Sequence, residues 1–122
     1  MNNRPYTRLA TVTPVAAGAT VDEALLVDAL RDGDLPALAS AFDRWHQRVR
    51  VLAKRLLSDP AAAEDVVQDV FTALPRAVRR FRGEADLETF LLGIAVKAVR
   101  RHQRAAVRRR KALERLRMAE PR

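Results

Sequence analysis

Residues 63–71 read Ala-Glu-Asp-Val-Val-Gln-Asp-Val-Phe, and residues 81–91 read Phe-Arg-Gly-Glu-Ala-Asp-Leu-Glu-Thr-Phe-Leu. The spacing of the first stretch predicts a helix with one apolar face, formed by Val66, Val67, Val70 and Phe71. Its opposite face is polar and is formed by Asp65, Gln68, Asp69 and Thr72. The second stretch predicts a glycine-containing loop and the start of a helix that soon becomes strongly basic. An acidic helix face beside a basic helix indicates two binding partners of opposite charge.

The sequence before these stretches predicts two helices. The first begins at Thr20, where Thr20 and Glu23 form a capping box, and it ends near Gly33. Asp34 is the predicted N-cap of the second helix, and Pro36 is tolerated in its first turn. Apolar residues three and four positions apart predict the buried seam of this second helix: Leu35, Leu38, Phe42, Trp45, Val49, Leu52 and Leu56.

The third helix contains the first quoted stretch. Asp59 is its predicted N-cap, and Pro60 occupies the first helical position, where an amide hydrogen is not needed. Pro75 removes one amide donor from the helix interior, which predicts that the helix bends or divides near Leu74.

The fourth helix follows the second quoted stretch and has Asp86 as its predicted N-cap. Its buried stripe is predicted to consist of Leu87, Phe90, Leu91, Ile94, Ala95 and Ala98. Beyond Val99 apolar residues become sparse, although the helix propensity of the arginines and alanines stays high. We therefore expect residues 100–111 to be helical only when they dock on a partner.

These patterns predict an all-α fold, a compact bundle of three or four helices with a basic C-terminal helix extension. Residues 1–19 contain no periodic apolar pattern, and we expect them to form a disordered N-terminal arm. The helical domain is placed at residues 20–111, and residues 112–122 are interpreted as the start of a linker or tail. A chain of 122 residues is large enough for one such domain.

The net charge of +8 is concentrated at one end of the chain. Residues 96–122 carry 11 basic and 2 acidic side chains, whereas the rest of the chain has a net charge of −1. This segregation indicates a C-terminal part that faces a polyanion and a nearly neutral body. A solvated basic tail without a partner is the alternative that charge alone leaves open.

Composition and spacing argue against catalysis and metal binding. The chain has no cysteine, so disulfides and thiolate metal sites are excluded. His46 and His102 fall on different helices without metal-ligand spacing, and the 4 glycines form no phosphate-binding cluster. We therefore predict neither an enzyme nor a cofactor. No apolar run is long enough to span a membrane and no signal peptide is visible, so we expect a cytoplasmic protein.

The two quoted stretches together resemble region 2 of bacterial sigma-70 factors, specifically the small extracytoplasmic-function group. In that group the pattern A-E-D-V-V-Q-[ED]-x-F is followed by F-R-G-x-x-x-x-x-T-[WF]-L-x-x-I-A, and this chain matches it from Ala63 to Ala95. The helices upstream also suit the family, so the resemblance covers residues 21–111, some three quarters of the chain. It implies a transcription-initiation factor, not an enzyme, that binds core RNA polymerase and melts promoter DNA at the minus-ten element.

The resemblance also implies which residues meet each partner. The polar face of the third helix would dock on the coiled coil of the largest polymerase subunit through Asp65, Gln68, Asp69 and Thr72. The loop would hold an extruded base of the minus-ten non-template strand, through Arg82, Gly83, Glu84, Ala85, Asp86, Leu87, Glu88 and Thr89. The fourth helix would meet DNA phosphates through Lys97, Arg100, Arg101, Arg104 and Arg108. An anti-sigma factor that covers both surfaces is a further implied partner.

Two positions depart from the family pattern. Phe90 stands where a tryptophan is usual, which keeps the apolar anchor but removes an indole donor. Lys97 stands where an asparagine is frequent, which removes the amide for a contact with a base at that position. The family's second domain, a helix-turn-helix that binds the minus-thirty-five element, does not follow in this sequence. Either a piece of a two-domain protein or a single-domain member is therefore expected.

Two other functions stay open. One is a sigma-fold interaction module that sequesters an anti-sigma factor, but such mimics avoid DNA, and the C-terminal charge of +9 argues against this. The other is a basic helical domain that binds nucleic acid in general, but nucleic acid repels an acidic helix face. Co-purification with core polymerase separates the three functions.

Overall fold

The structure is a computed structural model that describes residues 21–119. It contains α1 (Val21–Arg31), α2 (Leu35–Leu56), α3 (Pro60–Ala77) and α4 (Leu87–Ala119), with a 3-10 turn (Val78–Arg80) after α3. The described part of the chain has no strand, so the predicted all-α class is confirmed. The predicted arm over residues 1–19 and the predicted cap at Thr20 lie outside the described residues.

The end of α1 is closed by a glycine in a left-handed conformation. Gly33 has a φ of 75°, and its N–H donates to the carbonyl of Leu30 over 3.0 Å. The N–H of Asp34 reaches back to the carbonyl of Ala29, also over 3.0 Å. These two bonds form a Schellman motif, which ends the helix and turns the chain into α2.

Aspartates occupy the N-caps of the other three helices. Asp59 accepts a bond from the N–H of Ala61 over 3.0 Å, and Asp86 accepts one from the N–H of Thr89 over 2.8 Å. Asp34 precedes α2 with extended backbone, as predicted, but its side chain makes no capping bond. The predicted helix starts are therefore confirmed, with a side-chain cap at two of them.

The third helix lies at the centre of the bundle and packs against both α2 and α4. Its buried side chains recur every three or four positions: Ala63, Val66, Val67, Val70, Phe71, Leu74 and Ala77. Burial of one apolar face turns the polar side chains of α3 toward solvent. The predicted apolar face of this helix is confirmed.

The predicted seam of α2 is partly wrong. Its buried residues recur every fourth position and are Ala37, Ala41, Trp45, Val49 and Ala53. Leu35 is 74% exposed and Leu56 is 46% exposed, although both belonged to the predicted seam. Alanines at the contact let the helices approach closely, so the larger neighbouring side chains lie at its margin. Phe42 is such a margin residue, and its ring meets the edge of Phe71 at a centroid distance of 5.0 Å.

Of the bend or division predicted near Leu74, the division is wrong and the bend stays a prediction. The helix continues through Pro75 to Ala77 before it tightens into the 3-10 turn. A proline inside a helix costs one main-chain hydrogen bond. Burial of Leu74 and Ala77 on either side of Pro75 offsets that loss, because both side chains belong to the apolar face.

The fourth helix is longer than expected. It continues without a break to Ala119, and from residue 107 onward its described side chains are exposed. The expectation that residues 100–111 become helical only on docking is therefore contradicted. The packed first half supplies the helix nucleus, and each further residue then adds a hydrogen bond at little cost. The backbone is helical across residue 111, and the proposed domain boundary there stays a prediction.

The central position of α3 predicts where stability is most sensitive. Leu74→Ala should lower the free energy of unfolding by roughly 2–5 kcal/mol, because Leu74 is fully buried. The matched change Leu116→Ala should alter it by less than about 0.5 kcal/mol, because Leu116 is 66% exposed. Urea unfolding followed by circular dichroism measures both. Similar losses in the two variants would contradict this packing.

Candidate functional site

The polar residues of α3 form an exposed surface, which we call the acidic face: Asp65, Gln68, Asp69 and Thr72. Within residues 21–119, the side chains of Asp65, Gln68 and Thr72 have no hydrogen-bond or ionic partner. Asp69 differs, because its Oδ2 lies 3.1 Å from Nε2 of His102 on α4. The structure thus brings all four predicted residues together on one surface, which α4 borders.

A pocket of about 300 Å³, the loop pocket, lies between the 3-10 turn and the start of α4. It is lined by Arg80, Phe81, Arg82, Glu84, Ala85, Thr89 and Phe90. The rings of Phe81 and Phe90 meet edge to face at a centroid distance of 5.1 Å and form its apolar wall. Aromatic rings beside guanidinium and hydroxyl groups suit a planar ligand with polar edges, such as a nucleobase.

Local backbone chemistry shapes this pocket. Gly83 has a φ of 76°, a conformation that side-chain-bearing residues rarely adopt. Asp86 then ends the loop as the N-cap of α4, and its hydrogen bonds from the side chain and the N–H of Thr89 hold its pKa below the usual value. Gly83 and Asp86 therefore set the course of the loop, as a turn residue and a cap.

Two residues of the predicted DNA-binding set do not lie on the loop surface. Leu87 is fully buried in the core. Glu88 accepts a hydrogen bond from Nε1 of Trp45 over 3.1 Å and forms an ion pair with Arg48. Both residues begin α4 and face the bundle, because the helix buries this side against its neighbours. Their predicted contact with a base is therefore corrected to a structural role.

The predicted basic residues of α4 are exposed and, apart from the adjacent pair Arg100 and Arg101, lie three or four positions apart: Lys97, Arg100, Arg101, Arg104 and Arg108. None of them forms an ion pair with another described residue. A rise of 1.5 Å per residue spreads this basic stripe over about 16 Å of helix. Unpaired cations in such a row are suited to successive phosphates of a nucleic acid.

The structure adds a basic surface that sequence reasoning missed. A groove of about 890 Å³, the arginine groove, has five arginines in its lining: Arg31, Arg76, Arg79, Arg80 and Arg101. Asp69 and Thr72 of the acidic face also line it, and Arg80 lines both this groove and the loop pocket. The signal in the sequence was Arg76, Arg79 and Arg80 within one and a half turns before the loop.

Other kinds of site find no support in the part of the chain that is described. Residues 21–119 contain no group of three or more His, Asp or Glu side chains placed to hold a metal ion. Over the same residues no helix is long and apolar enough to cross a membrane. His46 stacks on Phe42 at a centroid distance of 4.4 Å, so the two histidines occupy separate environments.

Comparison with known families identifies the family to which the chain belongs. The sequence profile described as Sigma-70 region 2 matches residues 41–117, which contain the acidic face, the loop pocket and most of α4. The chain belongs to the sigma-70 region 2 family. The RNA polymerase sigma-H factor of Pseudomonas aeruginosa is 31% identical over 84 residues. This alignment covers 69% of the chain but only 44% of that relative.

The family match does not extend over the whole region 2 domain seen here. It begins at residue 41, inside α2, so α1 and the Schellman turn precede it. Nevertheless α1 contacts α2, α3 and the 3-10 turn, and its Leu26 and Leu30 belong to the core. The first helix is therefore an integral part of the fold that the profile does not describe.

The cap of α4 predicts a pH-dependent stability for this region 2 domain. Asp86→Ala should cost about 1 kcal/mol at neutral pH, as loss of an N-cap typically does. Because the folded pKa of Asp86 is lowered, its contribution is complete well above the ordinary value of 3.8 and is lost as the pH falls through the folded value.

Thermal unfolding from pH 7 to pH 3 tests this prediction. The difference in melting temperature between wild type and Asp86→Ala should become smaller toward low pH. Glu84→Ala, which removes an exposed carboxylate from the same loop, serves as the control and should leave stability nearly unchanged. A gap that stays constant over this range would show that Asp86 does not act as a charged cap.

Proposed function

We propose that this domain acts in transcription initiation, where it binds core RNA polymerase and holds the non-template strand of the promoter minus-ten element. The observation that carries the proposal is the presence of two exposed surfaces of opposite charge, which adjoin where Asp69 and Thr72 line the arginine groove. Asp65 and Gln68 of the acidic face offer acceptors that have no partner within the described chain, whereas Arg80 and Arg82 of the loop pocket make no ion pair there. The similarity to an RNA polymerase sigma-H factor supports it.

The acidic face suits the basic coiled coil of the largest polymerase subunit. The carboxylate of Asp65 and the amide of Gln68 are three residues apart, so they lie on the same side of α3. Hydrogen bonds between charged groups contribute about 1.5–3 kcal/mol each. Both side chains are exposed on the side opposite Val66 and Val70, so their loss leaves the core intact.

The loop pocket suits a single base taken out of the stack. Extrusion of a base costs a few kcal/mol of stacking. Stacking on an aromatic side chain returns about 1–3 kcal/mol per base, and the half-buried ring of Phe90, supported from behind by the buried ring of Phe81, provides such a surface. The hydroxyl of Thr89 and the guanidinium groups of Arg80 and Arg82 supply polar contacts at the rim. The pocket therefore has the chemistry to offset the cost of extrusion.

The arginine groove extends this surface beyond the pocket. Since Arg80 lines both features, a strand with one base in the pocket has arginines beside its neighbouring phosphates. We assign Arg76 and Arg79 to phosphate contact, together with the basic stripe of α4. Such contacts position a strand without reading its sequence.

The acidic face also bears on regulation and on the competing functions. An anti-sigma factor that covers Asp65, Gln68 and Asp69 would exclude core polymerase, because both partners need the same helix face.

The competing functions each leave one surface unexplained. A general nucleic-acid binder does not require an exposed surface that bears carboxylates. A decoy that only sequesters an anti-sigma factor has no use for the basic stripe. The proposed role places the protein in the cytoplasm, beside polymerase.

The polymerase contact is tested by paired substitutions. Asp65→Ala and Gln68→Ala should each weaken binding to core polymerase by roughly tenfold, as expected for loss of one charge-assisted bond of about 1.5 kcal/mol. Asp43→Ala removes an exposed carboxylate from α2 and should leave affinity unchanged. Affinity is measured by titration of labelled domain with core enzyme, and melting temperature is followed in parallel. Unchanged affinity with a lower melting temperature would make both residues structural.

The DNA contact is tested with a library of single-stranded oligonucleotides whose central positions are randomised. Wild type should enrich particular bases, and Ala85→Leu, which fills the loop pocket, should abolish the enrichment. Arg108→Ala should weaken binding to all sequences alike and reduce the salt slope by about 1. If wild type enriches no base and only the salt slope responds to substitution, the general nucleic-acid binder is the better account.

A further inference from the structure

We propose that α1, which precedes the family match, is the positioning element of the base-binding loop, and that Arg31 is its principal positioning residue. That the loop binds a base rests on the proposed function. That α1 holds the loop in position does not depend on DNA. The contacts that carry it lie at both ends of the loop, at Phe81 and at Leu87.

Arg31 holds the start of the loop. Its Nε donates to the carbonyl of Val78 over 3.0 Å, and its Nη2 donates to the carbonyl of Phe81 over 2.6 Å. One planar guanidinium thus bridges two carbonyls three residues apart, at the point where the chain leaves the 3-10 turn. Asp28, one turn earlier on α1, lies 3.7 Å from Nη1 and helps to orient the group.

The carbonyl of Phe81 needs the guanidinium of Arg31 as its hydrogen-bond donor. The carbonyl of Val78 also accepts the N–H of Phe81 over 3.1 Å, but the carbonyl of Phe81 has no other donor among the described residues. Phe81 is at the same time the aromatic wall of the loop pocket. Arg31 therefore fixes the main chain of a residue whose ring shapes the binding surface.

Glu23 acts at the other end of the loop. Burial raises the pKa of the Glu23 carboxyl, and its interaction with the main-chain N–H of Leu87, the first residue of α4, opposes that rise. Glu23 and Arg31 are eight residues apart, which corresponds to about 12 Å along the helix. The side of α1 between them lies along the loop, since a single small pocket is lined by Glu23, Ala24, Val27, Asp28, Arg31, Phe81, Arg82 and Gly83.

Apart from the turn at Gly83 and the Asp86 cap, the loop has few contacts of its own. Within the described chain, residues 82–85 make no main-chain hydrogen bond, so the two ends determine the path between them. A binding site needs its groups held within a fraction of an ångström, and loops achieve this only with support from rigid elements. The consequence is that α1 controls base discrimination without touching the base.

Arg31 also lines the arginine groove, so a phosphate contact is the competing account of its role. Loop positioning and phosphate contact differ in whether a lysine can take over the role of Arg31. Lysine keeps the charge for a phosphate, but its single ammonium group lacks the planar fork that reaches both carbonyls. Arg31→Lys should therefore behave like Arg31→Ala if the residue positions the loop, and like wild type if it binds phosphate.

The first experiment needs no DNA. Trypsin cleaves after Arg82 in the loop, and both Arg31→Ala and Arg31→Lys should accelerate this cut in the folded domain by roughly tenfold, within the range of typical coupling energies. Glu23→Ala should accelerate it as well. Arg55→Ala, which removes an exposed arginine from α2 that has no described partner, should leave the rate unchanged. Unchanged cleavage in both Arg31 variants, with full folding shown by circular dichroism, would overturn the proposal.

The second experiment uses the randomised single-stranded library. Both Arg31 variants should lose roughly tenfold in base discrimination, whereas Arg79→Ala should lower affinity for all sequences and keep the discrimination. Discrimination retained by Arg31→Lys but lost by Arg31→Ala would identify a charge effect and overturn the positioning role. If wild type discriminates no base at all, the proposed function fails, and the trypsin rates alone then decide whether α1 holds the loop.

Discussion

The burial of one apolar face of α3 between α2 and α4 is the constraint on which the rest of the structure depends. Val66, Val70 and Leu74 are completely removed from solvent, and each of them contributes roughly 1.5–3 kcal/mol of burial free energy. Because helix geometry couples the two faces, this burial presents Asp65 and Gln68 to solvent. The same packing places the 3-10 turn at the edge of the bundle, where the loop begins.

Arginines divide into two groups with different roles. On α1 and α2, Arg31, Arg44, Arg48 and Arg50 are held by carbonyls or carboxylates of neighbouring elements. Arg50, for example, donates hydrogen bonds to both carboxylate oxygens of Glu64 and so joins α2 to the start of α3. The arginines from residue 76 to residue 110 make no ion pair within the described chain. The first group stabilises the bundle, and the second remains available to an anion.

The sequence was sufficient for those features that depend on local periodicity. The four helices, the caps at Asp59 and Asp86, and the apolar face of α3 follow from spacing and capping rules, and the structure confirms them. Contacts between distant residues were not accessible in this way. Nothing near Arg31 in the sequence indicates that it reaches a carbonyl 50 positions later. Likewise the alanine stripe of α2 became visible only when α3 was packed against it.

We propose that Asp65 and Gln68 on α3 contact core polymerase, whereas the loop pocket holds promoter DNA. Photo-crosslinkable amino acids placed at Gln68 and at Ala85, in complexes with core polymerase and forked promoter DNA, test it most directly. The account predicts that the probe at Gln68 attaches to the largest polymerase subunit and the probe at Ala85 attaches to the non-template strand. A probe at Gln68 that attaches to DNA, or one at Ala85 that attaches only to protein, would contradict it.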